Sequence, residues 1–165
     1  MHLRCNPAAP RPVPPVEPAS LDAALARAFD AARDVPVEGG VAPWRFYRVR
    51  AEQAQAIAWL NARRIEDEAG IEAAQAAYDQ WRSVPGWVVV TCLRADDDDA
   101  QERLDERCLT AVQRVSLSLW SESIRTSWIT DFVADADRFN EIVGIDGGLE
   151  RVIGILWYGH AERRD

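Results

Sequence analysis

Residues 101–122 read QERLDERCLTAVQRVSLSLWSE, and the length and spacing of this stretch predict one long helix. Its apolar side chains cover more than a single stripe: Leu104, Cys108, Leu109, Ala111, Val112, Val115, Leu117, Leu119 and Trp120. A helix that is apolar over so much of its surface must be buried by its neighbours or by a partner chain. In a chain of 165 residues, a second copy is a reasonable partner.

Strands are predicted on both sides of this helix. Trp87–Leu93 is a nearly continuous β-branched and apolar run, which is typical of a central strand covered on both faces. Val152–Tyr158 is a second buried strand. The remaining predicted elements are a helix capped by Ser20, a loop over Val37–Pro43, a strand over Arg45–Arg50, a helical region over Ala51–Arg82 divided at Gly70, a short strand over Arg125–Ile129 and a helix over Asp135–Val143.

This mixture of helices and strands indicates an α+β protein with one domain. Residues 1–19 are rich in Pro, which predicts an extended arm without helix or core strand. Residues 20–165 then form the single domain, and a chain of this length can bury a substantial core.

The charge of the chain excludes several classes of partner. Arg supplies all 19 basic residues against 27 acidic ones, so the net charge is −8. An acidic chain is a poor match for nucleic acid or for an anionic membrane surface. The absence of Lys excludes Schiff-base and P-loop chemistry. Asp96–Asp99 is interpreted as a solvated turn, because consecutive carboxylates cannot all reach one metal ion without a shaped loop.

The remaining motifs for chemistry are sparse. Cys92 and Cys108 are interpreted as buried thiols of a reducing, cytoplasmic protein. No GxGxxG, GxSxG or HExxH motif is present. His2 and His160 are the only histidines, and His160 is expected at the surface. Glu122 ends the predicted long helix, and the sequence is compatible with either a partly buried or an exposed side chain at this position. No metal site is predicted.

Three segments, taken in order, resemble the nitroreductase superfamily, especially its small bacterial members. Arg33–Tyr47 contains Ala42-Pro43-Trp44 followed by an aromatic strand. Ala111–Phe132 is similar to the family's central dimer helix followed by a short strand at the flavin. Arg151–Ala161 is similar to its last core strand and the exit that follows.

The resemblance implies a central mixed, mainly antiparallel sheet flanked by helices, in a domain-swapped style of homodimer. FMN would lie at the interface between the two subunits. The flavin would take hydride from NAD(P)H and pass it to a nitro compound, a quinone or a similar small acceptor. Because the cofactor carries the redox chemistry, no catalytic side chain is implied.

The resemblance also assigns cofactor-binding positions. The loop residues Val37, Gly39 and Gly40 would face the flavin. The residues near its ring would be Trp128, Thr130 and Asp131. The phosphate would be held by Arg11, Arg163 and Arg164, since a phosphate needs cations or helix N-termini.

Some positions depart from the family pattern and leave a second hypothesis open. Pro12 and its neighbouring prolines offer few backbone donors for a phosphate. Val37, Gly40 and Ala42 stand where polar contacts to flavin are usual, and the carboxylate of Asp131 suits a reduced, anionic flavin poorly. The alternative is a flavin-poor, non-catalytic relative that acts as a dimeric binding or partner subunit.

The tryptophans divide into two groups. Trp87, Trp120, Trp128 and Trp157 lie in apolar runs and are expected in the core or an interface. Trp59 and Trp81 lie on charged helices. Helix packing is favoured for both over a role as cover for the flavin pocket.

Overall fold

The computed structural model describes residues 18–130 and 136–160. Most of the predicted Pro-rich arm lies outside these residues. The described elements are helix α1 (Pro18–Ala32), a 3-10 turn (Glu38–Gly40), strand β1 (Trp44–Arg48), helix α2 (Ala51–Ala69), helix α3 (Ile71–Arg82), strand β2 (Gly86–Leu93), helix α4 (Asp98–Ser121), strand β3 (Ile124–Ile129), helix α5 (Ala136–Val143) and strand β4 (Glu150–His160). The predicted order of helices and strands is confirmed.

The four strands form one sheet in the order β1-β2-β4-β3. All three pairings among the described residues are antiparallel, which confirms a mainly antiparallel sheet. Strands β1 and β3 are the edges. Because β1 and β2 are separated by two helices and β2 and β3 by one, each connection crosses a face of the sheet.

Several predicted boundaries were wrong by a few residues. Helix α1 begins at Pro18, two residues before Ser20, because the fixed φ of Pro suits the first helical turn. Helix α4 begins at Asp98, since the side chain of Asp97 accepts a 2.7 Å hydrogen bond from the backbone N–H of Ala100. The acidic run Asp96–Asp99 therefore lies at the start of a helix, where the positive end of the helix dipole stabilises its negative charge.

Strand β2 is covered on both faces, as predicted. Val88, Val90 and Cys92 belong to a first core that α1 and α4 cover. Trp87 and Val89, on the opposite face, belong to a second core with residues of α2, α3 and α5. Cys108 of α4 is also fully buried in the first core, so both predicted buried thiols are confirmed as buried.

Three tryptophans form the centre of the second core. The ring of Trp81 makes edge contacts with those of Trp87 and Trp157, at centroid distances of 5.4 and 5.1 Å. Helix packing is thus confirmed for Trp81. Trp59 differs: it is 54% exposed, and the Arg63 guanidinium lies 5.0 Å from its ring centroid.

Helix α4 is incompletely covered by its own chain. Ala111, Val115 and Leu119 are fully buried against the sheet and α1. Leu117 and Trp120 are 63% and 61% exposed. The expectation that Trp120 lies in the core is therefore wrong for the single chain, and its place in an interface stays a prediction. Among the described residues, no helix is both long and apolar enough to cross a membrane.

We predict that Gly154→Ala destabilises the fold by about 1–3 kcal/mol, because its methyl group would overlap the indole ring of Trp128 on the neighbouring strand. Urea unfolding of both proteins measures the difference. In a Trp128→Leu background, the same glycine substitution is expected to cost much less. An equal cost in both backgrounds would show that the contact with the Trp128 ring is not the cause.

Candidate functional site

The loop between α1 and β1 contains three of the predicted flavin contacts. Val37 is half-buried and packs against the first core, whereas Gly39 and Gly40 are exposed. Both glycines are left-handed, with φ of 69° and 73°, a conformation that favours glycine. No atom lies within 4 Å of the position that a Cβ would take at either glycine. A ligand can therefore approach the backbone of this turn closely.

Helix α4 anchors this loop. The Nη2 atom of Arg107 lies 2.5 Å from the Oε1 atom of Glu38 in an ion pair. The Nη1 atom of Arg107 donates a longer hydrogen bond, 3.5 Å, to the carbonyl oxygen of Pro36. These two contacts attach Pro36 and Glu38, which precede Gly39, to helix α4. The carboxylate of Glu38, next to the two glycines, thereby has a partner.

A cavity of about 390 Å³ opens beside the loop, at the edge of β1. Phe29 and Phe46 line it, and their rings stack at a centroid distance of 4.9 Å with only 4° between the planes. Arg33 and Arg45 also line the cavity. The site thus combines flat aromatic surface, which suits a planar ligand, with two arginines that each pair with a carboxylate, Arg33 with Asp30 and Arg45 with Glu150.

A buried carboxylate fixes the position of one of these cations. Glu150 is 1% exposed, and its Oε1 atom accepts a 2.6 Å hydrogen bond from the Tyr47 hydroxyl and a 3.1 Å bond from Nη1 of Arg45. Thr91 donates a further hydrogen bond to Oε2. These contacts join β1, β2 and β4, and they satisfy a charge that would otherwise be costly to bury.

The second group of predicted contacts lies at the opposite edge of the sheet. Trp128 is half-buried on β3, and Thr130 is exposed just after it. Pairing of Trp44 with Cys92 and of Ile129 with Ile155 places both groups toward the same end of the sheet. Two strands lie between β1 and β3, so the groups are separated by about 14 Å. One chain does not bring them together.

The other predicted contacts lie outside the described residues. These are Arg11, Asp131, Arg163 and Arg164. The phosphate-binding role of the three arginines therefore stays a prediction.

Two residues considered from the sequence, His160 and Glu122, are both partly buried. His160 is half-buried at the end of β4, and its Nε2 atom is buried without a partner among the described residues, so the expectation of a surface position was wrong. Glu122 pairs with Arg27 of α1, with 2.5 Å between Oε2 and Nη2. Hydrogen bonding to Arg27 lowers the pKa of Glu122.

The aromatic and charged lining of the cavity is not predicted by the sequence. Phe29 lies in the helix predicted after Ser20 and Phe46 in the predicted strand Arg45–Arg50, but nothing in their spacing indicates that their rings stack. Arg45 and Tyr47 alternate on β1, and Glu150 begins β4. A polar face on a strand, together with an acid at the start of another buried strand, is the signal that would have indicated this network.

The fold agrees with what the chain resembles among known proteins. The family model described as the Nitroreductase family matches residues 15–160. This match spans most of the chain, which therefore belongs to the nitroreductase family. A comparison with curated protein sequences gave no match.

Solved structures of the same fold are similar over nearly the whole chain. A nitroreductase-like family protein from Bacillus cereus has a TM-score of 0.74 at 18% identity, covering 95% of this chain and 82% of that one. A putative nitroreductase in complex with FMN from Desulfovibrio desulfuricans has a TM-score of 0.67 at 16% identity, with coverage of 95% and 86%. An FMN and NADPH-dependent nitroreductase from Sphigopyxis sp. strain HMH has a TM-score of 0.64 at 19% identity, with coverage of 93% and 84%.

The Tyr47–Glu150 contact predicts a dependence of stability on alkaline pH. Burial, together with the hydrogen bond to Glu150, raises the pKa of Tyr47 above its ordinary value of 10.0. The folded state therefore holds this proton more tightly than the unfolded state. The contribution is complete below about pH 10 and is lost as the pH rises through the folded-state pKa.

We expect Tyr47→Phe to lower stability by about 1–2 kcal/mol at pH 8, because one hydrogen bond to a buried carboxylate is lost. The difference from the wild type should narrow above pH 10, as measured by urea unfolding across pH. No Lys titrates in this range because the chain has none. The control Tyr78→Phe removes the hydroxyl of a half-buried tyrosine that has no contact with Glu150, and it should retain the wild-type alkaline decline. A difference that is constant or widens with pH would contradict the prediction.

Proposed function

We propose that this protein is an FMN-dependent NAD(P)H oxidoreductase of nitroreductase type, acting on a nitro compound, a quinone or a similar small acceptor. The observation that carries the proposal is the cavity beside the glycine turn, with its stacked Phe29 and Phe46 and its two arginines. Membership of the nitroreductase family and the FMN named for similar structures support the same cofactor. A reducing cytoplasmic location, which would keep Cys92 and Cys108 as thiols, belongs to the same proposal.

The described residues suit a flavin in shape and in charge. Bound FMN supplies the hydride-accepting and hydride-donating chemistry. The backbone at Gly39 and Gly40 would lie against it, since no side chain blocks that surface. Arg33 and Arg45 also line the cavity, and each is paired with a carboxylate, Asp30 or Glu150. A guanidinium that exchanged its carboxylate for the ligand would favour the electron-rich, reduced form of a flavin over the neutral one.

A homodimer would complete the site. The loop at β1 and the Trp128–Thr130 segment lie at opposite edges of one sheet, too far apart to contact one ring system. In a symmetric pair, the loop of one subunit can meet the β3 end of the other. The exposed Leu117 and Trp120 of α4 supply apolar surface for such an interface. Arg11, Arg163 and Arg164 are proposed to hold the phosphate.

One observation favours the alternative, a flavin-poor and non-catalytic relative that serves as a binding or partner subunit. The loop offers Val37, Gly40 and Ala42 to the cavity, none of which has a polar side chain. Glu38 does have a polar side chain, but its carboxylate is paired with Arg107. Direct polar contacts to a flavin ring would then depend on backbone groups and on Arg33 and Arg45.

A visible absorption spectrum distinguishes the two hypotheses. The purified protein, as isolated and after excess FMN followed by gel filtration, is expected to carry flavin bands that elute with a dimer. Addition of NAD(P)H without oxygen should then bleach those bands. A colourless dimer that does not retain FMN would overturn the enzyme hypothesis and favour the partner subunit.

The dimer is tested by Trp120→Glu, which places a charge in the proposed apolar interface. We expect a monomer by size-exclusion chromatography with light scattering, together with loss of FMN retention, because each site would lose its second half. Trp59→Glu is the matched control. It makes the same change at a tryptophan of similar exposure on α2, and it should leave the dimer intact. Dimers in both variants would show that α4 is not the interface.

A further inference from the structure

A cavity of about 370 Å³ lies on the outside of the second core, and we call it the outer cavity. Its described wall comes from helices α2, α3 and α5, which cover the face of the sheet opposite α1 and α4. Phe29 and Phe46, which line the cavity beside the glycine turn, pack against the first core instead. The sheet therefore separates the outer cavity from that site within the chain.

Two aromatic side chains, Trp59 and Tyr78, contribute to the wall of the outer cavity. The Arg63 guanidinium lies 5.0 Å from the ring centroid of Trp59, and the Arg82 guanidinium lies 5.4 Å from that of Tyr78. Each arginine follows its aromatic residue by four positions, which is about one helical turn, and neither lines the outer cavity. The two rings are thus each held from outside the cavity by a cation–π contact.

The ring of Trp59 has open surface on the side of the cavity. Glu52, Gln55 and Ala56 precede Trp59 by seven, four and three positions, so all four residues lie on one face of α2, and all four line the cavity. Helical side chains lean toward the start of their helix, so the indole lies over these residues while Arg63 lies behind it. Trp59 is 54% exposed, which leaves room for a flat ring to stack on it.

The polar groups of the described wall are mainly hydrogen-bond acceptors. The carboxylate of Glu52 has no hydrogen bond or ion pair with any described residue. Gln55 donates a 3.3 Å hydrogen bond from Nε2 to the Tyr78 hydroxyl, which leaves its Oε1 atom as an acceptor. Arg138 also lines the cavity, but its Nη1 atom lies 2.7 Å from Oε2 of Glu141 in an ion pair. The wall therefore offers an unpaired carboxylate to a cation.

The spacing of the carboxylate and the indole sets the shape of a ligand that contacts both. Glu52 and Trp59 are seven residues apart, or about 10 Å along the helix axis. Because the indole leans toward Glu52, a ring stacked on it reaches the carboxylate with a cationic group only a few bonds away. The net charge of −8 adds a general attraction for cations.

We propose that the outer cavity binds a small aromatic cation, with its ring on Trp59 and its charged N–H groups at the carboxylate of Glu52 and the amide oxygen of Gln55. Charge-assisted hydrogen bonds of this kind are stronger than neutral ones. Leu60 and Ile142 add apolar wall around the ring. The site is separate from the proposed flavin site, and it does not depend on whether the protein binds FMN.

The test is a titration of the ¹⁵N-labelled full chain at constant ionic strength with three ligands of one size. Phenethylamine is cationic at neutral pH, phenethyl alcohol is neutral and phenylacetate is anionic. The indole N–H signal of Trp59, assigned by its loss in Trp59→Leu, should shift and saturate with phenethylamine. We expect roughly fivefold weaker binding of the alcohol and no saturation with phenylacetate. Equal affinities for all three ligands, or shifts that never saturate with phenethylamine, would overturn the proposal.

Variants then locate the cation and the ring. Glu52→Gln should weaken phenethylamine binding by roughly fivefold and leave the affinity for phenethyl alcohol unchanged, since only the charged contact is lost. Glu66→Gln is the matched control: it removes an exposed carboxylate of the same helix, about 20 Å from Glu52 along the axis, and should leave both affinities unchanged. Trp59→Leu, followed through the amides of α2, should weaken both ligands alike.

Three results would contradict this location of the site. An equal loss in Glu52→Gln and Glu66→Gln would show that phenethylamine responds only to the overall charge of the protein. Unchanged affinities in Trp59→Leu would show that the ring does not stack on the indole. Displacement of phenethylamine by FMN would assign the outer cavity to the flavin site, whereas the same affinity with and without FMN supports a separate site.

Discussion

Strand β2 carries apolar side chains on both of its faces, and neither face can be left in contact with water without losing most of the hydrophobic stabilisation. This requirement explains the two helical layers, with α1 and α4 on one side and α2, α3 and α5 on the other. It also explains why Glu150 needs three donors. The acid lies next to β2, at the end of the sheet, and only full hydrogen bonding makes its burial tolerable.

The same layered arrangement separates the two halves of the proposed flavin site. A glycine turn precedes one edge strand, and the Trp128–Thr130 segment ends the other. Helix α4 connects the two regions, since Arg107 near its middle holds the loop and its end leads directly into β3. The exposed apolar side chains near that end, Leu117 and Trp120, link site assembly to association in the proposed homodimer.

Periodicity and composition predicted the elements well, because each depends on local spacing. The buried run of β2, the division of the helices at Gly70 and the long α4 followed from the sequence alone. Helix starts were less accurate, since Asp97 as a cap competes with its equally suitable acidic neighbours. The cavity lining was not predictable. The stacking of Phe29 on Phe46 and the approach of Glu150 to Arg45 join residues far apart in sequence, which no local pattern encodes.

The cluster of Trp81, Trp87 and Trp157 has an optical consequence. Three indole rings within 5.1–5.7 Å of one another, on α3, β2 and β4, are close enough for their excited states to couple. Their near-ultraviolet circular dichroism then reports on the seating of α3 against the sheet, whereas the emission of the exposed Trp59 reports on solvent and that of Trp120 on the proposed interface. The chain therefore carries separate intrinsic probes of its second core and its surface, without any added label.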